Sequence, residues 1–326
     1  MTYEPRVAEQ LDNIEESWGE AERNREQMIR TGIKSLDQLF YGIDTKGELI
    51  AIQGKEKHRK TTLAINWIVS MALDEHNRKQ NIVIDTLESQ MDYIRYRDSI
   101  IAMLMTKYML EETHHKSHGC PICKGDCGLI GKLSPEFFKY RRDKLNKQQQ
   151  KDFSDALSYA ITVLKRTNIS VYDGRIDQGN TRNLEDSVER WSRLAGEGLM
   201  DLLFIDHSQQ YHIKGVSSGD HFSHLNIVVD AVSTAITQYS FPVILLSQVS
   251  KNSQLSASNP AEFQASGGAK LSQEASVVLS TSKDSNSSFT ATVGVSRVSG
   301  IAKVTFKKVD PSSGYIIDRD APLENI

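Results

Sequence analysis

ELIAIQGKEKHRKTTLAINWIVSMAL, residues 48–73, is the stretch on which the fold turns. It opens with a short apolar run, 48–53, which reads as a buried strand. It closes with a helical pattern that begins at Lys60 and runs through LAINWIVSMAL. Between them lies Gly54-Lys-Glu-Lys-His-Arg59-Lys60-Thr61-Thr62. A glycine-led loop leaving a strand and opening a helix is the layout of a phosphate-binding loop. Backbone N–H groups and the helix N-terminus face the anion, a lysine reaches the terminal phosphates, and a hydroxyl binds Mg²⁺. Gly54, Arg59, Lys60, Thr61 and Thr62 are therefore candidate nucleotide-binding residues, with Thr61 on magnesium. The position before the lysine, where such loops carry glycine, is Arg59.

Outward from this stretch, strand-like and helix-like segments alternate. NIVIDT (81–86), ISVY (169–172), LLFID (202–206) and PVILLS (242–247) are continuous apolar runs, as expected of strands covered on both faces. A long helix is expected through Ile94, Ile101, Leu104 and Met105. Another is expected with Leu225, Val228, Val229, Val232, Ile236 and Tyr239 on one face. The tail reads as hairpins: SVVLSTS, FTATVGVSR and KVTFKK, separated by Ser/Asn/Gly turns. The sum is an α/β fold with a mainly parallel central sheet, helices on both faces and C-terminal β-hairpins. Polar stretches 250–265 and 213–220 read as mobile loops. Three strand ends carry candidate chemistry. Asp206 can hold a metal's water shell, Glu88 in DTLES (85–89) can serve as general base, and Gln248 can sense a γ-phosphate or relay to DNA.

Composition constrains partners. The chain has 326 residues, 39% hydrophobic and 25% charged, enough for one large or two small domains. Its formal net charge of −3 offers no overall basic field, so any DNA contact must come from a local channel or loops. No apolar run approaches a membrane span and the first residues lack a signal-peptide layout. These features predict a cytoplasmic protein, in a host's cytoplasm if viral. From about Glu4 to Arg30 a charged helix carries Val7, Leu11, Ile14 and Trp18 as one narrow apolar stripe, docked either on its own domain or on a neighbouring subunit.

In their order and spacing these pieces resemble the DnaB-type replicative helicases. TGIKSLDQLFYGI (31–43) resembles the segment ahead of that family's first core strand. TLES resembles its Ser-Leu-Glu element, IDHSQQ its Asp-Tyr-Leu-Gln element, and LLSQVS its Leu-Ser-Gln element. SGGAKLSQEASVVL (266–279) is similar to its Ser-Gly-x-Ile-Glu-Gln-Asp-Ala-Asp stretch, and SRVSGIAKVTF (296–306) to its Arg-Asn-Gly-x-x-Gly hairpin. The resemblance covers about Thr31 to Ile317. It implies a RecA-like three-layer ATPase domain (31–326) behind an N-terminal oligomerisation helix (1–30). It also implies an ATP hydrolase that moves along single-stranded DNA as a homo-hexamer or other ring or spiral, with primase or other replisome proteins as candidate partners. By that resemblance Lys60 and Thr61 bind phosphate and Mg²⁺, Glu88 activates water and Asp206 supports the metal. Arg297 falls where the family places an arginine finger that reaches the neighbouring subunit's ATP. The loops after Asp206 and Gln248 would line a DNA channel, with Lys214, Lys251 and Lys270 as nearby cations. Two rival readings follow from the same residues: a RecA-like recombinase or loader that does not unwind, and a catalytically weak module descended from a helicase.

Three departures from the family stand out. Arg59 replaces a glycine, Val295 stands where a second cation is common, and the charged helix (4–30) takes the place of an N-terminal domain. Such a compact form would suit a phage or plasmid. The insertion His114-His115-Lys-Ser-His118-Gly-Cys120-Pro-Ile-Cys123-Lys-Gly-Asp-Cys127, within 112–131, is foreign to the pattern and holds all three cysteines of the chain. Cys120 and Cys123 have knuckle spacing, and Cys127 adds a third thiolate. His115, with His114 and His118 as alternatives, would complete a tetrahedral structural zinc site.

Overall fold

The predicted strand–loop–helix at 48–73 lies at the centre of the domain. The computed structural model describes residues 28–87, 92–110, 133–134, 145–173, 183–216, 221–249, 268–296 and 302–325. Strand β1 (Leu49–Gly54) leads into helix α2 (Lys60–Leu73), after a short α1 (Lys34–Phe40). There follow β2 (Asn81–Thr86), α3 (Asp92–Tyr108), α4 (Lys147–Leu164), β3 (Asn168–Asp173), α5 (Leu184–Gly196) and β4 (Leu202–Asp206). Then come α6 (His221–Tyr239), β5 (Val243–Gln248), α7 (Gly268–Glu274), β6 (Val277–Lys283), β7 (Phe289–Ser296), β8 (Ala302–Phe306) and β9 (Leu323–Asn325). They make one nine-stranded sheet of order β3-β2-β4-β5-β1-β6-β7-β8-β9. Pairing is parallel from β3 to β6 and antiparallel from β6 to β9.

Strand alternation explains the two outer layers. Ile50, Ile52, Ile82, Ile84, Phe204 and Leu246 point into a core shared with α2, α3 and α4. Their neighbours Leu49, Ala51, Val83, Leu203, Ile205 and Leu245 point into a second core under α5 and α6. Both faces are covered, so the strands' central runs are apolar at successive positions rather than at alternate ones. Helix α2 is buried from Leu63 to Ala72, as expected of a helix at the centre of a domain. Its fully buried Asn66 is satisfied by the C-terminal segment. The amide donates to the carbonyls of Thr62 (2.8 Å) and Gly314 (2.9 Å), and Oδ1 accepts from the N–H of Ile316 (2.9 Å). A lost partner there would orphan a buried amide, so this contact fixes how the antiparallel edge returns onto α2.

The lead-in segment is locked by one carboxylate. Asp37 accepts from the Thr31 N–H (2.7 Å) and hydroxyl (2.8 Å) and from the Gly32 N–H (3.0 Å). Gly32 sits at φ +70°, where a Cβ would come 2.3 Å from Ser70 Cβ, so both backbone angle and space require glycine. Helices α4 and α5 and strand β9 have no counterpart among the sequence expectations. Helix α4 carries a full capping box between Asn146 and Gln149, and α5 has Glu185 and Asp186 in its first turn. The charged helix (4–30), but for its last residues, the cysteine-bearing insertion and the whole 250–265 loop lie outside the described residues. Among those described, no helix is long and apolar enough to cross a membrane.

Candidate nucleotide site

Strand order reverses around β1, which has β5 on one side and β6 on the other. In open α/β sheets such a reversal leaves a crevice beyond the strands' C-terminal ends. Here it is a cleft of about 500 Å³ lined by Lys57, His58, Arg59, Lys60, Thr61 and Thr62 of the loop, with Asp206, His207, Gln248 and Lys283 opposite. Gly54, the last residue of β1, sits against β6: a Cβ there would lie 2.6 Å from Thr281 Oγ1 and 2.8 Å from its carbonyl oxygen. Only glycine lets the loop leave the sheet so close to its neighbour.

Lys60 begins α2, and its ammonium donates to the carbonyls of Gly54 and Lys55, both at 2.9 Å. Thr61 Oγ1 donates to Asp206 Oδ2 at 2.8 Å, and the phenol of Tyr96 on α3 donates to that same oxygen. Asp206 is almost fully buried, at the end of β4, and its peptide bond to His207 is cis. The Leu87 N–H donates to the Asp206 carbonyl (2.8 Å), which ties the end of β2 to the end of β4. Gln209 makes the matching tie to β5: its amide nitrogen donates to Ser247 Oγ (2.8 Å) and the Gln248 carbonyl (3.1 Å), and its oxygen accepts from the Gln248 N–H (3.2 Å). Burial, reinforced by Lys55 and Lys60, lowers the His58 pKa, and Nδ1 accepts from the Lys283 N–H at 3.4 Å.

Arg59 resolves the departure noted in the sequence. It takes the left-handed conformation (φ 71°, ψ 15°) that a glycine would favour, and Lys57 does the same at φ 62°. Its guanidinium turns away from the loop interior and donates to the Asn286 carbonyl at 2.5 Å, in the turn between β6 and β7. Lys283 Nζ donates to Asn286 Oδ1 at 2.8 Å, so loop and turn are joined twice through one asparagine. Left-handed backbone costs an L-residue about 1–2 kcal/mol, and one net hydrogen bond offsets about 1 kcal/mol of it. Arg59→Gly is therefore expected to shift the thermal midpoint by no more than a few degrees (roughly 1 kcal/mol in either direction) and to leave nucleotide affinity within about threefold. Differential scanning fluorimetry and nucleotide titration check this. A tenfold loss of affinity would mean that the guanidinium serves phosphate instead.

The structure thus gathers Arg59, Lys60, Thr61, Thr62, Asp206 and Gln248 around one cleft, with the carbonyl of Gly54 accepting from Lys60. Lys214 is exposed in the turn after β4, whereas Lys270 of α7 is engaged by Asp230 of α6, which reduces its availability as a channel cation. Glu88, Arg297, Lys251, His115 and Cys120, Cys123 and Cys127 lie outside the described residues, and among the described ones no three His, Cys, Asp or Glu side chains gather as a metal site would need. Sequence reading missed Tyr96, Gln209, His58 and Lys283. Tyr96 sits in an apolar helical pattern that marks it as core, and Gln209, though it falls on the glutamine of the Asp-Tyr-Leu-Gln element, has no role of its own in that reading.

No protein-family profile matches the chain, and no curated protein matches it either. Among solved structures it is similar to one described as an ATPase domain. That likeness has a TM-score of 0.67 and 16% identity, and it covers 99% of this chain and 100% of that one. It is also similar to a structure of a DnaB-like replicative helicase and its interactions with primase. There the TM-score is 0.68 and the identity 15%, with 97% of this chain and 67% of that chain covered. At such identities the likeness establishes a shared fold, the RecA-like three-layer domain.

Proposed function

We propose that the chain is an ATP-driven motor of the DnaB type that moves along single-stranded DNA as a ring. The observation that carries this reading is the pairing of Thr61 with Asp206 beside Lys60, in a cleft at the strand ends. The likeness of the surrounding domain to a solved ATPase domain and to a DnaB-like replicative helicase, over nearly its whole length, supports it. A hydroxyl and a carboxylate 2.8 Å apart are hard oxygen donors, fitting Mg²⁺, and the lysine at the start of α2 fits a nucleotide's terminal phosphates. Bound Mg²⁺ neutralises charge on the phosphate oxygens.

In this reading Lys60 exchanges the carbonyls of Gly54 and Lys55 for phosphate oxygens, while Thr61 and Asp206 hold the metal and its waters. Tyr96 fixes the Asp206 carboxylate. Glu88 accepts the proton of the attacking water, and Gln248 sits where a γ-phosphate would be sensed. Arg297 acts on the neighbouring subunit's nucleotide, and Lys214 and Lys251 contact the DNA backbone. The helix at 1–30 joins adjacent subunits ahead of the ATPase domain at 31–326, and primase or another replisome protein is the expected partner.

The test is ATP hydrolysis with and without single-stranded DNA, alongside strand separation on a forked duplex. Stimulated hydrolysis with unwinding is expected. Arg297→Ala and Glu88→Gln chains, each inactive alone, should recover part of the activity when mixed. Stimulated hydrolysis without unwinding supports a loader or recombinase, and failure to bind ATP supports a module that has lost its chemistry. For the insertion, zinc held by Cys120, Cys123, Cys127 and His115 predicts about one zinc per chain by elemental analysis. Metal-free, folded protein would sink that assignment.

A further inference from the structure

Asp85 is a buried acid that the phosphate chemistry does not use. It lies on β2 between Val83 and Leu87, shares their face, and is fully buried in the core under α5 and α6. A carboxylate there must be partnered. Its Oδ2 accepts from Arg190 Nη2 (2.9 Å), Trp191 Nε1 (3.0 Å) and the Tyr211 phenol (3.3 Å). The Arg190 guanidinium also lies over the Tyr172 ring, 5.2 Å from its centroid.

Two of these donors come from one helix, but the third comes from the segment that follows Asp206. That segment is wired to three strand ends. It begins at the end of β4, Gln209 grips Ser247 and Gln248 of β5, and Tyr211 reaches Asp85 of β2. Past Tyr211 it runs to the turn that exposes Lys214. Beyond Asp85, β2 runs on to Leu87, which is hydrogen-bonded to Asp206, and in sequence Glu88 comes next.

We propose that Tyr211 and Asp85 are a positioning pair that couples the segment after Asp206 to the strand leading to Glu88. Neither residue lines the nucleotide cleft, so any influence passes through the strand. Close-packed interiors answer a displacement by switching between discrete arrangements rather than by deforming smoothly. When DNA pulls on the segment, the phenol either keeps or leaves the carboxylate, while Arg190 and Trp191 of α5 continue to hold Asp85. The idea rests on the functional reading above, in which that segment meets DNA.

Tyr211→Phe removes the hydroxyl and nothing else. Its basal ATPase rate, melting temperature and single-strand affinity by fluorescence anisotropy are expected to match the parent's. Its DNA-stimulated rate at saturating DNA should fall about two- to tenfold, the fold-change that one hydrogen bond's worth of coupling gives. Unchanged stimulation overturns the proposal, and so does an equal fall in basal and stimulated rates, which marks a merely structural role. A parent chain whose ATPase ignores DNA overturns the functional reading itself and takes this pair with it. Loss confined to the stimulated rate of the variant supports the coupling.

Discussion

Lys60→Ala is expected to lower ATP turnover by about 10²–10³-fold, the usual effect of deleting one preorganised charge-stabilising group from a water-poor site. Lys60 is only partly buried, and its ammonium contacts the carbonyls of Gly54, at the end of β1, and Lys55, in the loop. The fold should therefore survive, with a melting temperature within a few degrees of the parent's (roughly 1 kcal/mol). Steady-state hydrolysis at saturating ATP is the measurement, with circular dichroism as the folding control. A folded Lys60→Ala chain that keeps a tenth of parental turnover would remove Lys60 from the phosphate-binding role. Thr61→Ala makes the useful companion, because Asp206 would still accept from Tyr96 and its position would change little. Loss of activity there would then report the hydroxyl itself.

Asp85→Ala should lower stability sharply, beyond the loss of DNA stimulation it would share with Tyr211→Phe. It leaves the Arg190 guanidinium, whose side chain is 15% exposed, without its counter-charge, and it takes the acceptor from Trp191 and Tyr211. Removing one member of a buried pair costs about 3–5 kcal/mol, far above the value of an exposed ion pair. A clear fall in the urea midpoint is expected. Asp85→Asn retains an acceptor and should fall between parent and alanine, while Asp85→Leu with Arg190→Met should recover much of the loss, since apolar side chains of similar volume avoid desolvating two charges. A midpoint for Asp85→Ala within about 1 kcal/mol of the parent's would show that water reaches this cluster.

The two residues illustrate different kinds of legibility. Lys60 could be read from the chain alone, because its chemistry is local: an apolar strand, a glycine that leaves it, then a lysine and two threonines at a helix start. Strand β2 at 81–86 and strand β4 at 202–206 fall where their apolar runs 82–84 and 202–205 place them, since a strand covered on both faces is apolar at successive central positions. The register of Asp206 opposite Thr61 also follows, because a strand-end acid in a parallel sheet opens onto the same edge as the loop after β1. Asp85 was legible only as part of a strand. Its donors stand more than 100 positions further along the chain, and no spacing rule joins them.

The sequence by itself determined the parallel α/β core and the strand–loop–helix that opens onto the cleft at the strand ends, because hydrophobic period and strand–loop–helix order are local properties of the chain. Only the tertiary structure decided how Arg59 stands in a glycine's place, since the answer is the Asn286 carbonyl at 2.5 Å, in a turn 227 residues away. It also decided that Tyr96 holds Asp206, that Gln209 clamps the end of β5, and that Lys270 is engaged by Asp230. In each case the partner is set by sheet order and helix packing, and a hydrogen bond or ion pair depends on distances that only the packed fold creates.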